Sequence, residues 1–271
     1  MKEEMRLDVL KLIEKGQRPP HLAAILIGDN PASQSYVRNK TKSCDEVGFK
    51  STLIKRPADI TESELLDIVR KCNEDDELDG FIVQLPLPPH INEQTINLAI
   101  DHRKDVDGFH PVNFGRMVQG LPAYLPATPY GILILMERYG VETEGKNCVV
   151  LGRSNIVGTP MTILLSRKAS PGNATVTLAH SRTKNLNKVL AQADIIIAAI
   201  GKPHFVTLDM IKPGAVVVDV GINKIVVGDV DFDGVADRCS HITPVPGGVG
   251  PMTVMGLLTN TLKSYNKEIY Y

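Results

Sequence analysis

Short apolar runs rich in Val and Ile alternate along this chain with longer amphipathic stretches. The runs Leu22–Ile27, Gly80–Leu85, Cys148–Leu151, Ala174–Ala179, Asp194–Ile200 and Ala215–Val220 hardly alternate with polar residues. Strands buried on both faces read that way, as in a parallel sheet covered by helices on each side. Helices are predicted over Lys2–Glu14, Ser33–Val47, Ser63–Lys71, Pro129–Tyr139, Pro160–Arg167 and Leu186–Ala191. The alternation predicts an α/β fold built from right-handed crossovers. A boundary is expected near Gly120–Pro129, where three prolines close one α/β series before another opens. A last helix is expected over Met252–Lys267, after a Gly/Pro-rich segment that ends at Pro251. No internal repeat or sustained heptad stands out.

Length sharpens this pattern into a domain count. At about 150 residues per domain, 271 residues correspond to about 1.8 domains, so two α/β domains are expected. Composition then excludes several classes. With 30 Lys and Arg against 31 Asp and Glu, the net charge of -1 excludes a nucleic-acid coat and a polybasic membrane binder. An apolar share of 43% without low-complexity tracts excludes disorder. The purest apolar run, Ile195–Ile200, is far short of the roughly 20 residues of a membrane helix. Cys44, Cys72, Cys148 and Cys239 never form a CxxC pair, which fits reduced thiols in a cytoplasmic chain. The charged first residues give no signal-peptide apolar region. The 7 histidines show no ligand spacing, and no metal is expected.

The strongest local motif is Cys148-Val-Val-Leu-Gly152-Arg153-Ser154-Asn-Ile-Val-Gly158-Thr-Pro160. A buried strand runs into a glycine turn and then a helix. Gly152 permits the tight turn, and the helix start offers N–H groups and a positive dipole end to a pyrophosphate. The spacing departs from G-x-G-x-x-G by a serine and one extra residue, and an ordinary strand-to-helix turn could use the same glycines for packing. The next strand ends at His180-Ser181-Arg182-Thr183, where an NAD site would place an acid for the ribose hydroxyl. Here the residues are hydroxylic and basic. Together with Arg153 they suit a 2′-phosphate, favouring NADP over NAD. Later strands lead into Gly201 and into Gly221-Ile222, and Ile222 is expected beneath a nicotinamide or ribose. The second half therefore reads as a Rossmann-like domain.

The first half carries three polar clusters at the ends of predicted elements. One is Ser35-Tyr36-Val37-Arg38-Asn39-Lys40, where Tyr36 and Lys40 share a helical face. The second is Val83-Gln84-Leu85-Pro86-Leu87-Pro88, and the third Lys104-Asp105-Val106-Asp107-Gly108-Phe109. With the Gly152–Pro160 loop and Thr243-Pro-Val-Pro-Gly-Gly248-Val-Gly-Pro251-Met-Thr253, these clusters resemble the bifunctional methylenetetrahydrofolate dehydrogenase/methenyltetrahydrofolate cyclohydrolase family. The likeness runs from about Leu22 to Leu262, with the motifs in the expected order. Two departures are visible. Family members carry a further stretch before the first helix, and the segment between Val220 and His241 is shorter here.

The resemblance implies two reactions. NADP-dependent oxidation turns 5,10-methylenetetrahydrofolate into the 5,10-methenyl cation, and hydrolysis then gives 10-formyltetrahydrofolate. It implies a folate-binding catalytic domain over residues 1–124 plus 253–271 and an NADP-binding domain over 125–252. The last helix would pack back on the first domain, and a homodimer would form through the cofactor domain. Lys40 matches the family's catalytic lysine, Gln84 its hydrogen-bond partner, Tyr36 a residue lining the folate, and Asp107 the acceptor for the pterin donors. Gly248 and Pro251 fall where the substrate is approached; a Pro/Gly turn that merely positions the last helix would look the same. Other readings are a monofunctional dehydrogenase, another Rossmann reductase of shikimate-dehydrogenase type, and a non-catalytic dinucleotide sensor. Only the named family gives a reason for all three clusters to occur together.

Overall fold

The computed structural model describes residues 1–221 and 227–270. They form two compact units, Met1–Ala127 with Leu257–Tyr271, and Thr128–Gly256. The first unit contains α1 (Lys2–Glu14), β1 (His21–Ile27), α2 (Pro31–Val47), β2 (Lys50–Arg56), α3 (Glu62–Glu74), β3 (Gly80–Val83), α4 (Glu93–Ala99) and α5 (Pro111–Val118). Its three strands are parallel in the order β2-β1-β3. The middle strand β1 is buried at all seven positions, which explains its unbroken apolar sequence. Ile25, Leu65, Val69, Phe81 and Ile96 form the core around it. A capping box between Thr61 and Glu64 starts α3, and Gly48 at φ +81° ends α2 in the left-handed region.

The second unit holds most of α6 (Ala127–Arg138), then β4 (Asn147–Leu151), α7 (Gly158–Ser166), β5 (Thr175–Ala179), α8 (Leu186–Leu190), β6 (Ile195–Ala198), β7 (Val216–Asp219), α9 (Phe232–Val235) and β8 (His241–Ile242). All five strands are parallel, in the order β5-β4-β6-β7-β8. The winding direction reverses between β4 and β6. In a doubly wound sheet that switch point, at the carboxyl ends of the strands, is where ligands bind. The division between units also falls inside α10 (Val249–Tyr265), whose part from Leu257 onward belongs to the first unit. There Asn260 donates to Val106 O and Leu125 O, both at 2.8 Å, and Ser264 donates to Asp79 O at 2.5 Å. The expectation that the last helix returns to the first domain is met.

The structure adds elements the apolar runs did not mark. Strand β2 lies at a sheet edge and is exposed or half-exposed throughout, so its sequence, KSTLIKR, has no buried pattern. Helices α4 and α5 and the two-residue β8 are likewise additions. Strand β3 stops at Val83, two residues before the expected end, and α7 begins at Gly158 instead of Pro160. Among the described residues no helix is long and apolar enough to cross a membrane, and no group of three or more His, Cys, Asp or Glu could hold a metal ion. The four cysteines are free thiols.

Candidate active site

Helix α2 begins on a firm cap. Asn30 accepts the N–H groups of Ala32 (3.0 Å) and Ser33 (3.2 Å), and Pro31 occupies the first turn. The helix carries Tyr36 and Lys40 one turn apart. Tyr36 is 42% exposed, and partial burial pushes its phenol up. Lys40 Nζ donates to Gln84 Oε1 at 3.2 Å. Gln84 is itself held from two sides: its backbone N–H donates to Ile25 O (2.9 Å) and its Nε2 to Leu85 O (2.8 Å). With the amide nitrogen so engaged, the amide oxygen is left to face Lys40.

Asp107 joins this pair through its field. Burial pushes its carboxyl above the usual carboxylate range, and the Lys40 ammonium pulls it back. Its backbone oxygen accepts the Ala127 N–H at 3.1 Å. No described N–H or O–H hydrogen-bonds its carboxylate, whose oxygens offer only acceptors. Lys40, Gln84 and Asp107 thus come together from α2, the end of β3 and the turn before α5. The neutral amide orients the amine without adding a charge.

In the second unit the β4–α7 loop is built by close backbone approach. Gly152 sits at φ +118°, and a Cβ there would lie 2.1 Å from Ala199 O, just past β6. A Cβ on Gly158 would lie 2.0 Å from Gly152 O, so the helix start rests directly on the turn. Ser154 Oγ accepts the N–H groups of Val157 (3.2 Å) and Gly158 (3.5 Å), which ties the turn to the helix start. Arg153 is exposed on this loop. Ser181 and Arg182, also exposed, follow the neighbouring strand β5, where the Arg182 N–H donates to His180 Nδ1 at 3.2 Å. Gly248 is packed against Pro244 O, where a Cβ would approach to 2.5 Å, and Pro251 is exposed in the first turn of α10. Both belong to the second unit, whereas Lys40, Gln84 and Asp107 belong to the first. Ile222 lies outside the described residues.

Two sets of buried acids were missed in the sequence. Asp219 accepts the N–H groups of Gly221 (3.0 Å), Asp229 (2.9 Å) and Val230 (2.9 Å), while Asp229 accepts those of Ile200 (2.6 Å) and Gly201 (3.0 Å). Together they brace the carboxyl ends of β6 and β7. In the first unit Asp105, two residues before Asp107, is 2% exposed. For Asp105 the only available signal was an acid in the charged run Lys104-Asp105-Val106-Asp107-Gly108, which more often marks a solvated charge.

Comparisons with known proteins identify the family. The family model for the tetrahydrofolate dehydrogenase/cyclohydrolase catalytic domain matches residues 1–107, and that for its NAD(P)-binding domain residues 126–269. A bifunctional protein FolD of Cytophaga hutchinsonii is 59% identical, over 97% of this chain and 94% of that one. The crystal structure of the bifunctional FolD methylenetetrahydrofolate dehydrogenase/cyclohydrolase from Campylobacter jejuni is 47% identical, with a TM-score of 0.94 over 99% of this chain and 95% of that one. That of the Trypanosoma brucei dehydrogenase-cyclohydrolase, solved with NADP and an inhibitor, is 36% identical, with a TM-score of 0.92 over 100% and 95%. The chain belongs to the tetrahydrofolate dehydrogenase/cyclohydrolase family, and carries both of its domains.

Proposed function

We propose that this chain is a bifunctional folate enzyme that oxidises 5,10-methylenetetrahydrofolate with NADP⁺ and hydrolyses the methenyl product to 10-formyltetrahydrofolate. The observation that carries the reading is the Lys40–Gln84 hydrogen bond with Asp107 in the field of the same lysine. Asp107 would accept the ring and amino N–H donors of the pterin, for which an acceptor-only carboxylate is suited. Tyr36, one turn from Lys40, would line the folate rings. Hydride loss from the one-carbon bridge leaves a stabilised cation, so this step needs alignment and no proton transfer. Hydrolysis does move protons, and Lys40 would take and return one at Nζ while Gln84 holds the amine in place.

The second unit fits a dinucleotide phosphate. Gly152 leaves open the space a Cβ would fill, the α7 start presents a positive dipole end, and Arg153 and Arg182 stand after adjacent strands with no acid between. NADP⁺, when bound, supplies the hydride acceptor. Arg153, Ser154, Ser181 and Arg182 would hold its phosphates, and Gly248 and Pro251 would serve the substrate. A cytoplasmic setting belongs to the same reading, supported by the four free thiols, of which burial pushes Cys44 and Cys148 up to about 12. So does a homodimer through the cofactor unit, whose edge strand β5 offers a place for a second copy.

The test is Lys40→Met, assayed for both reactions. Methenyltetrahydrofolate hydrolysis is expected to fall by about a hundred- to ten-thousandfold, the usual worth of a positioned acid–base group. NADP⁺ reduction should persist. Undiminished hydrolysis would remove Lys40 from the mechanism.

A further inference from the structure

Asp107 has its backbone pinned on both sides. Val106 O accepts the Asn260 amide at 2.8 Å, and Asp107 O accepts the Ala127 N–H at 3.1 Å. Beyond it, Gly108 turns the chain at φ +77° so close to Leu125 that a Cβ would lie 2.4 Å from that carbonyl carbon. The next three N–H groups all point back at one side chain. Asp105 Oδ1 accepts from Gly108 (3.1 Å) and Phe109 (3.3 Å), and Oδ2 from His110 (2.8 Å). A fourth donor, Asn113 Nδ2, reaches Oδ2 at 2.9 Å.

Asn113 anchors this clamp from behind. It is fully buried, donates to His102 O at 2.9 Å, and accepts the Tyr124 N–H (3.2 Å) and the Tyr270 hydroxyl (2.5 Å). Four donors converge on two oxygens, which only a carboxylate can accept without presenting a donor of its own. An acid is nonetheless a poor choice for stability alone. It is buried, it stands two residues from a second, half-buried acid, and burial pushes its carboxyl up to about 7 with Asp107 adding to the rise. Well-packed apolar groups stabilise a buried site at less cost than an acid does. What the acid supplies is a fixed course for residues 108–110, and with it the direction in which Asp107 leaves the backbone.

We propose that Asp105 is a positioning residue of the folate site, holding the Gly108–His110 backbone so that the Asp107 carboxylate is set for the pterin donors. This rests on the assignment of Asp107 to the folate. Asp105 touches neither substrate nor cofactor; it acts through Asp107.

The experiment compares Michaelis constants for methylenetetrahydrofolate, methenyltetrahydrofolate and NADP⁺ in Asp105→Asn, Asp107→Ala and Tyr270→Phe. The constants are measured at pH 8, above the value of about 7 to which burial pushes Asp105, so that the wild-type carboxyl is ionised. In Asp105→Asn an amide NH₂ must then meet two of the four donors. Both folate constants should rise about tenfold or more, toward the roughly hundredfold that misplacement by a full ångström can cost. The NADP⁺ constant should stay within about twofold, since only the Asp107 turn is disturbed. Tyr270→Phe, which loosens Asn113 from the far side, should lower the melting temperature and leave the folate constants unchanged. A second pair of variants covers poor folding of Asp105→Asn. His110 has φ -63°, so His110→Pro deletes one clamping N–H without changing that angle, while His110→Ala keeps it. His110→Pro should raise the folate constants above those of His110→Ala. Normal folate constants in folded Asp105→Asn, equal constants in the His110 pair, or an equal rise in Tyr270→Phe would each overturn the proposal. Normal folate constants in Asp107→Ala would instead overturn the reading of the site beneath it.

Discussion

The groups proposed for the folate and those proposed for the cofactor are held in opposite ways. Lys40, Gln84 and Asp107 come from three separate segments of the first unit and meet through side chains and their fields. Gly152, Arg153 and Ser154 are consecutive, and their arrangement is set by backbone: a glycine at φ +118° against Ala199 O, and a serine whose oxygen accepts the backbone N–H groups just ahead of the helix that follows. Half-buried side chains do the aligning in the first case, and exposed ones project from a backbone-set turn in the second. A folate site of the first kind should respond to charge and hydrogen-bond changes in its surroundings. A cofactor loop of the second kind should respond chiefly to anything that adds a Cβ.

The sharpest way to break this contrast is to exchange the insult. Gly152→Ala forces a Cβ to within 2.1 Å of a backbone carbonyl oxygen just past β6, which unlike a side chain cannot swing aside. A left-handed φ adds about 1–2 kcal/mol for any residue with a Cβ. The NADP⁺ Michaelis constant should rise by about a hundredfold, the scale reached when a site is displaced by an ångström. The folate constants should change little. If Gly152→Ala harms folate binding as much as cofactor binding, the two sites do not depend on separate supports.

The same contrast decides what was legible in the sequence. Strands β1, β4 and β6 are buried on both faces, so their Val/Ile runs named them directly. Strand β2 was invisible because a solvated edge strand has no apolar signature. The cofactor loop could be read because its chemistry is local: strand, glycine turn, helix, and then basic residues where an acid would stand for NAD. The folate residues could not be assembled that way. Tyr36 and Lys40 shared a helix face, but only the family resemblance joined them to Gln84 and Asp107. Asp105 escaped even that, because an acid in the run Lys-Asp-Val-Asp-Gly looks like a surface charge until its four donors are located in space.

A medium-sized effect is expected from Arg153→Ala. An exposed guanidinium that hydrogen-bonds a phosphate contributes about 1.5–3 kcal/mol, so the NADP⁺ constant should rise by about ten- to a hundredfold. The NAD⁺ constant should hardly move. Because the charge is exposed, the gap between wild type and variant should narrow with added salt, as screening predicts. Equal losses for both nucleotides would place Arg153 away from the 2′-phosphate.

The buried side should instead respond to pH. Burial raises the Asp105 carboxyl from 3.8 to about 7 in the folded chain. Between those values the folded state binds the proton and the unfolded state does not, so stability declines as pH rises through that window. The carboxyl contributes its full stabilisation only below the unfolded value. Asp105→Asn removes this titration. The melting temperature of the wild type, measured relative to Asp105→Asn, should therefore fall between pH 4 and pH 7. A constant difference would mean that Asp105 is ionised throughout, with its four donors outweighing the burial.

The smallest effect lies on Ser154, where the two kinds of support meet in one hydroxyl. Its oxygen accepts the N–H groups of Val157, the N-cap residue of α7, and Gly158, its first residue, which ties the turn to the helix start. Its hydrogen is still free to be donated, and a phosphate oxygen is the acceptor expected beside a helix start. Loss of the accepting oxygen to alanine costs about 1 kcal/mol, a shift of roughly 2–4 °C in a chain of this order of size. Loss of one donated hydrogen bond of about 0.5–1.5 kcal/mol raises the NADP⁺ constant by roughly two- to tenfold. Ser154→Asp separates the two, because a carboxylate still accepts N–H groups and donates nothing. It should keep most of the melting temperature while raising the NADP⁺ constant at least as much as Ser154→Ala does. If Ser154→Asp instead binds NADP⁺ normally, the hydroxyl serves the backbone alone, and the loop's grip on phosphate comes from its N–H groups and Arg153.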